Sequence, residues 1–526
     1  MNERPLWQLM LEAREGAGAS PVMQVTEELR SVILYLSTRR QPTTALFCEF
    51  DKAIEAASSA PATPSTLQVL TLTRDQSEAI EGILANIAEP DACPVLCGYA
   101  GTGKTVTTAA LVSRLVDAEK RVVVATPTHK ARAQVERALN DRGAHGFEVV
   151  TIHRLLGLKQ VRDRDTGRES FAPDPKGKNM LTQQDRWDEE LCRTVPVTPI
   201  DVVIVDETSM VGSDLYDMLK RELQGRPVVF VGDDRQLLPV GEEQACRAFT
   251  EGSEVYRLME VLRHDGAILN LATSTRELPV GRARFASAEG GGTRVVACRS
   301  REDWGRTLLE MAASEEAMRD PDFCRALAFT NKAVDEWNLR IHHRRYGADA
   351  PQFVEGMTCV TVDAIPNPDG SGPLLNSTVD VMIEEATREA KRFPGDLVTE
   401  APWQCWKVTV SVAGDGLAPV TFNVLAAEER ERWGKVMNDI AKDAKTANGK
   451  ARSQLWDTYF QRKDCIGSLQ PASALTIHKS QGSTFQNVWL HWSIDGWGSA
   501  PTAQQNQLAY VGITRSAREL HVVGDR

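Results

Sequence analysis

An α/β fold of two domains with parallel sheets, facing each other across a cleft, is what this sequence predicts on three observations. Short β-branched runs alternate with helical stretches along most of the chain. Each run is apolar throughout rather than alternating, the mark of parallel strands buried on both faces. Each run also stops at a glycine or a polar residue, and sheets of this kind bind their ligands beyond the carboxyl ends of the strands.

The runs come in two groups. Pro94-Val95-Leu96-Cys97 stops at Gly98, Val122-Val123-Val124 at Thr126, Val202-Val203-Ile204-Val205 at Asp206, and Val228-Val229-Phe230-Val231 at Gly232-Asp233. Later, Ala326-Leu327-Ala328-Phe329 stops at Thr330, Ala474-Leu475-Thr476 leads to His478, and Leu520-His521-Val522-Val523 closes the series. Residues 347–470 lie between and differ in character. They mix β-like pieces (Val360-Thr361-Val362 and Val408-Thr409-Val410) with turn residues from Pro366 to Gly370. Their charged segment from Glu428 to Trp456 places Trp433, Met437, Ile440 and Ala444 at helical spacing, which predicts one helix packed on one side.

At 526 residues the chain is too long for a single core, and roughly three or four domains are expected. No run of about 18 apolar residues is present, so no membrane span is expected. The opening MNERPLWQLMLEAREG sets acids where a signal peptide needs an apolar stretch, which predicts a cytoplasmic protein. Ten cysteines are scattered, and the pair Cys93 and Cys97 is not a C-x-x-C, so reduced thiols rather than a zinc site are expected. A net charge of −11 does not favour broad electrostatic capture of nucleic acid. It leaves room for a local groove that grips phosphates through backbone N–H groups, hydroxyls and a few cations. The first ~65 residues carry no motif and end in the linker-like Ser58-Ser59-Ala60-Pro61-Ala62-Thr63-Pro64-Ser65.

Gly98-Tyr-Ala-Gly101-Thr102-Gly103-Lys104-Thr105 fits G-x-x-x-x-G-K-[ST], after a strand and before an amphipathic helix. Its glycines let the backbone wrap a phosphate with N–H groups turned inward, and the helix N-terminus adds positive potential. Lys104 would reach the β/γ-phosphates, and the Thr105 hydroxyl would ligate Mg²⁺. Asp206-Glu207 at a strand end supplies the second metal-side carboxylate. Asp206 would hold Mg²⁺ while Glu207 activates water. Gln236 both donates and accepts, which suits orienting water or sensing a γ-phosphate, though alone it equally fits a loop amide. Thr73 followed by Gln76 reads as a capping box, so Gln76 by itself is a helix start.

The chain order of Gln76, GYAGTGKT, TPTHKAR, TIHRLLG, VDETSM, GDDRQLLPV, LTIHKSQG and YVGITRS resembles superfamily 1 helicases, in the 5′→3′ branch with RecD-like and Dda-like members, over about residues 70–526. The resemblance implies two RecA-like P-loop domains with a β-hairpin pin insert and an SH3-like 2B domain bearing a helical arm. It puts 1–66 outside, a first domain at 67–250 with the pin at about 158–197, and a second at 251–346 and 471–526. The 2B domain would occupy 347–470, with the arm at about 428–456 bracing the pin. Leu374-Leu375-Asn376-Ser377 departs from the Asn-Gly usual in such a domain.

By the same resemblance Gln76 reads adenine, Arg263 reaches the γ-phosphate across the cleft, and Arg515 is an arginine finger. The nucleic-acid track would run over Thr126, Pro127, His129, Thr151 and His153 in the first domain. Thr330, Asn331, Thr476, His478 and Lys479 would mirror them in the second. His129 alone also fits an ordinary loop residue, and Phe171 fits either base stacking or packing of its own hairpin. ATP and Mg²⁺ are the implied cofactors. Single-stranded DNA and its junctions with duplex are the implied partners, with single-strand-binding or replisome proteins beside them and a monomeric state. The expected activity is an ATP-dependent 5′→3′ DNA helicase serving replication, recombination or repair. An RNA-directed relative and a P-loop switch that does not translocate are the competing readings.

Overall fold

A computed structural model describes Leu72–Gly524, apart from residues 175–178, 184, 189–192, 224, 240–241, 243, 253, 261–265, 279–283, 368–372, 397–400, 413–417 and 495–501. The chain divides into the units Met1–Val69 and Leu70–Arg526, and everything below concerns the second. The segment 1–66 lies outside the described residues, as does Arg263.

Two six-stranded sheets dominate this unit. The first is wholly parallel, in the order Val255–Leu258, Val95–Gly98, Val228–Gly232, Val202–Val205, Val122–Thr126, Phe147–Thr151. Every residue of its four central strands is buried, which is what their unbroken apolar runs require. Ile80, Ile83, Leu111 and Leu139 cover one face, and Leu155, Val211 and Leu219 cover the other. The edge strand Val255–Leu258 corrects the expected boundary at 250. It carries the polar Arg257 and Tyr256, so it lacks the apolar signature of its neighbours, yet it pairs with the strand that leads into the P-loop.

The second sheet runs Ala288–Gly290, Thr293–Cys298, Ser516–Val523, Phe485–Leu490, Cys324–Ala328, Ala474–Thr476. Only the first pair is antiparallel. Its outer layer includes the buried Trp304 and Trp337, whose rings meet edge to face at 5.0 Å.

Residues 358–471 form a five-stranded antiparallel sheet in the order Val420–Leu425, Trp403–Val412, Asp380–Lys391, Thr358–Thr361, Leu469–Pro471. Near Asn376-Ser377 the left-handed residue is Thr378, at φ 61°, whose N–H bonds the Thr361 carbonyl at 2.8 Å. The expected single helix from Glu428 to Trp456 is two, Arg430–Thr446 and Gly449–Asp464. Ala447 and Asn448 are extended and Gly449 takes φ 54°, so an Asn-Gly pair turns the chain back on itself. Further hairpins pair Leu158–Arg162 with Glu169–Pro173 and Asp185–Asp188 with Arg193–Pro196. No helix among the described residues is long and apolar enough to cross a membrane.

Candidate active site

The strand Val95–Gly98 ends where the glycine-rich loop begins. Gly101 and Gly103 sit at φ 87° and 82°, a region that favours glycine, and they turn the chain into the helix Lys104–Asp117. A Cβ on Gly98 would come 2.6 Å from Thr102 Oγ1, so glycine is needed there for close approach. Gly103 has no side chain with which to cap the helix, which leaves the first N–H groups for an anion. Lys104 Nζ donates to the carbonyls of Gly98 (2.7 Å) and Tyr99 (3.2 Å). Gln76 is buried and does two jobs. Its Oε1 closes the capping box with Thr73 N (3.1 Å), and its Nε2 donates to Thr102 O (3.1 Å), so the amide lies against the P-loop backbone.

Asp206 follows the strand Val202–Val205 and is buried, with its Oδ1 accepting the Glu207 N–H at 2.7 Å. Burial, then the charge of Glu207, push its carboxyl well above the usual range, against the pull of that N–H and of Lys104. A divalent cation at this place would supply the missing counter-charge. The donors at hand, a carboxylate and the Thr105 hydroxyl, are the oxygen type that Mg²⁺ prefers. Glu207 itself holds left-handed backbone (φ 52°, ψ 41°), a conformation that costs of order 1–3 kcal/mol in a non-glycine residue. Ser209 Oγ reaches Gln236 Oε1 at 3.5 Å, which ties the turn after Glu207 to the one that carries Gln236.

Two helices of the second domain, Ala267–Glu277 and Thr502–Thr514, meet this site directly. Tyr510 bonds both Ala100 N (2.9 Å) and Asp233 Oδ2 (2.7 Å), and the Arg276 guanidinium lies 3.3 Å from the centroid of the Tyr99 ring. Arg515 is buried. It donates to Val511 O (3.1 Å), Ser483 O (3.1 Å) and Thr514 Oγ1 (3.0 Å).

A groove of about 2220 Å³ runs beside the first sheet, lined by Pro127, His129, Thr151, His153 and Phe171 together with the edge of the five-stranded sheet. The rings of His153 and Phe171 touch at 4.1 Å between centroids. Burial holds His129 and His153 below the ordinary histidine range, and the Arg132 charge adds to this at His129. Both rings are therefore neutral at pH 7.

Sequence comparison adds to this geometry. Residues 71–291 match the AAA domain family AAA_30, and residues 471–523 match the UvrD-like helicase C-terminal domain. The chain is 25% identical over 474 residues to the ATP-dependent DNA helicase dda of Enterobacteria phage T4, covering 86% of this chain and 99% of that one. It is 25% identical over 480 residues to the RecBCD enzyme subunit RecD of Mycobacterium tuberculosis (strain CDC 1551 / Oshkosh), covering 84% and 68%. Among solved structures, the Pif1 helicase of Candida albicans aligns with 86% of this chain and 95% of its own, at 15% identity and a TM-score of 0.42. This chain is a RecD/Dda-like helicase of superfamily 1.

In this helicase two of the threonines expected to touch nucleic acid, Thr151 and Thr330, are also helix N-caps. Thr151 and Thr330 accept from Arg154 N and Ala333 N, and Thr476 accepts from Lys479 N at 3.3 Å. Thr126 is fully buried and donates to Thr128 O at 3.0 Å. Asn331 opens the helix that Thr330 caps, and His478 packs edge to face on Phe329 at 5.7 Å. Burial lowers the pKa of Lys479 against the opposing charges of Asp363 and Asp335, and Asp363 lines the groove.

Phe171 stands 47% exposed on the hairpin 158–173. That hairpin is held by the second helix of the expected arm, which runs on past the stretch assigned to it. Arg162 makes a bidentate pair with Asp464 (2.5 and 2.6 Å), Arg164 pairs with Asp457 (3.1 Å), and Trp456 fills the space above Gly167. The residues missed in the sequence are Tyr99, Asp233, Arg276 and Tyr510. Tyr510 and Asp233 lay inside recognised motifs without an assigned role, whereas Arg276 sits in a helix that shows no motif at all.

Proposed function

We propose that this helicase is an ATP-driven motor that moves 5′→3′ along single-stranded DNA and opens duplex at junctions. The observation that carries the reading is the contact of the helix Thr502–Thr514 with the P-loop through Tyr510, because it makes the relation between the two domains part of the nucleotide site. ATP and Mg²⁺ would supply the anhydride bond and the charge neutralisation. Lys104 would leave its carbonyls for the β/γ-phosphate oxygens, Thr105 and Asp206 would hold the cation, Glu207 would take a proton from water, and Gln236 would orient that water. Arg515, and Arg263 by resemblance, would bring positive charge from the second domain. Gln76 would read the adenine edge from its place beside Thr102.

The groove that holds Pro127, His129, Thr151, His153 and Phe171 would carry the strand. Thr126, Thr330, Asn331, Thr476, His478 and Lys479 would fix its phosphates through hydroxyls, amides and helix N-termini rather than read its sequence. Phe171 on its braced hairpin would stack on a base at the fork. A monomer acting beside single-strand-binding or replisome proteins suits this reading.

Steady-state ATPase with ssDNA, with ssRNA and with neither tests it. Stimulation by ssDNA is expected, and turnover indifferent to both polymers would rule the motor out. Duplexes with a single 5′ or 3′ tail test direction, and unwinding from the 3′ tail alone would overturn the polarity.

A further inference from the structure

The contact between the helix Thr502–Thr514 and the P-loop falls on one peptide group, the one joining Tyr99 to Ala100. Its N–H donates to the Tyr510 hydroxyl at 2.9 Å. Its carbonyl, on Tyr99, accepts Lys104 Nζ at 3.2 Å and Thr102 Oγ1 at 2.9 Å. A peptide unit is a rigid plane whose N–H and C=O point opposite ways. Tilting it from the N–H side therefore swings one of the two carbonyls on which the lysine rests, the other being that of Gly98 at 2.7 Å.

Tyr510 reaches across from the second domain and clasps the first at two points, the Ala100 N–H and a carboxylate. It is 2% exposed, and its hydroxyl donates to Oδ2 of Asp233, itself 1% exposed, at 2.7 Å. Burial and the charge of Asp233 raise the phenol far above its usual range, so the hydroxyl keeps its proton. Arg276 adds a second hold on the same limb, with its guanidinium 3.3 Å from the Tyr99 ring centroid and its side chain only 10% exposed.

We propose that Tyr510 and Arg276 are positioning residues that set the stance of Lys104, by gripping the Tyr99–Ala100 peptide from the second domain. The inference rests on the helicase reading and adds a route from domain position to nucleotide that does not pass through arginines at the γ-phosphate. When the second domain shifts, the peptide tilts and the Lys104 ammonium is offered to, or withheld from, the phosphates.

The test is a double-mutant cycle read by binding rather than turnover. Titration of a fluorescent ATP analogue into the full chain gives Kd for the wild type, Tyr510→Phe, Lys104→Ala and the double variant. Tyr510→Phe keeps the ring and removes both hydrogen bonds. It is expected to weaken binding on the order of tenfold when Lys104 is present, the size of one lost charge-linked hydrogen bond. On the Lys104→Ala background it should change Kd by less than about twofold, since the effect acts through the lysine. Equal weakening on both backgrounds, or none on either, overturns the proposal. Arg276→Gln, run through the same cycle, decides the matter if Tyr510→Phe unfolds the chain. The helicase reading is judged separately, by whether ssDNA stimulates the wild-type ATPase.

Discussion

Arg462 and Asp396 meet at 2.8 Å with both side chains 3% exposed, a buried ion pair that ties the second arm helix to the connection between the strands Asp380–Lys391 and Trp403–Val412. The same carboxylate accepts the Trp403 indole N–H at 3.1 Å and the Phe393 N–H at 2.6 Å, and the Arg462 guanidinium stands 5.0 Å from the Trp433 ring centroid. Asp464, two residues further on, holds Arg162 of the hairpin. The arm thus spans from the sheet to the element that carries Phe171.

Asp396→Ala strands a buried guanidinium, and a loss of about 3–5 kcal/mol is expected in urea unfolding. Burial raises the Asp396 carboxyl, but the Phe393 and Trp403 N–H groups and Arg462 outweigh it and leave the pKa below its ordinary value. A depressed carboxyl contributes its stability above the unfolded pKa and loses it as pH falls through the folded one. The gap in Tm between wild type and variant should therefore be full at pH 6 and close progressively below about pH 4. A gap that persists unchanged to pH 2 would show that the charge of Asp396 is not what matters.

Phe171→Ala should reduce unwinding of a tailed duplex by about tenfold and leave ssDNA-stimulated ATPase near wild type, because a stacked base contributes roughly 1–3 kcal/mol. The ring is half exposed, so little stability is at risk. Arg162→Ala loosens the hairpin from the arm and should reproduce this phenotype. Parallel loss of ATPase and unwinding in both variants would place Phe171 in the motor itself.

Lys104→Ala should abolish hydrolysis. Glu207→Gln should lower kcat by about 10²–10⁴ with ATP still bound, as expected of a general base. Single-turnover assays and nucleotide titration separate the two effects. Substantial turnover in Lys104→Ala would mean that the catalytic pocket is elsewhere.

Arg515→Ala should cost about 10³-fold or more in ssDNA-stimulated kcat while ATP affinity changes only a few-fold. Ser483 O and Val511 O lose a donor in this variant, so Tm should fall as well. Counting intact sites by nucleotide titration corrects the rate for unfolded protein. A proportionate fall in kcat and in intact sites would make Arg515 a packing residue.

The sequence was most legible where one residue type can do one job. The four unbroken apolar runs are the central parallel strands, and GYAGTGKT forms a turn from strand to helix with Gly101 and Gly103 at positive φ. It was least legible where a side chain acts across domains. Arg276 stacks on Tyr99 from 177 positions away in the chain, and no local pattern encodes that meeting. Val255–Leu258 escaped notice because an edge strand tolerates Tyr256 and Arg257. The arm was read as one helix because its apolar stripe continues in phase, while Asn448-Gly449 reverses the backbone beneath it. Gln76 shows both readings at once, with one end of its amide capping a helix and the other touching the P-loop.

The composition of the groove has a thermodynamic corollary. Besides its histidines and threonines it is lined by Arg154, Lys159, Arg162, Lys391 and Lys463. A strand lying there would release condensed counterions at a slope of about 0.7 for each phosphate that one of these cations neutralises. The fall of affinity with rising salt would then count how many of them leave their carboxylate partners for the strand.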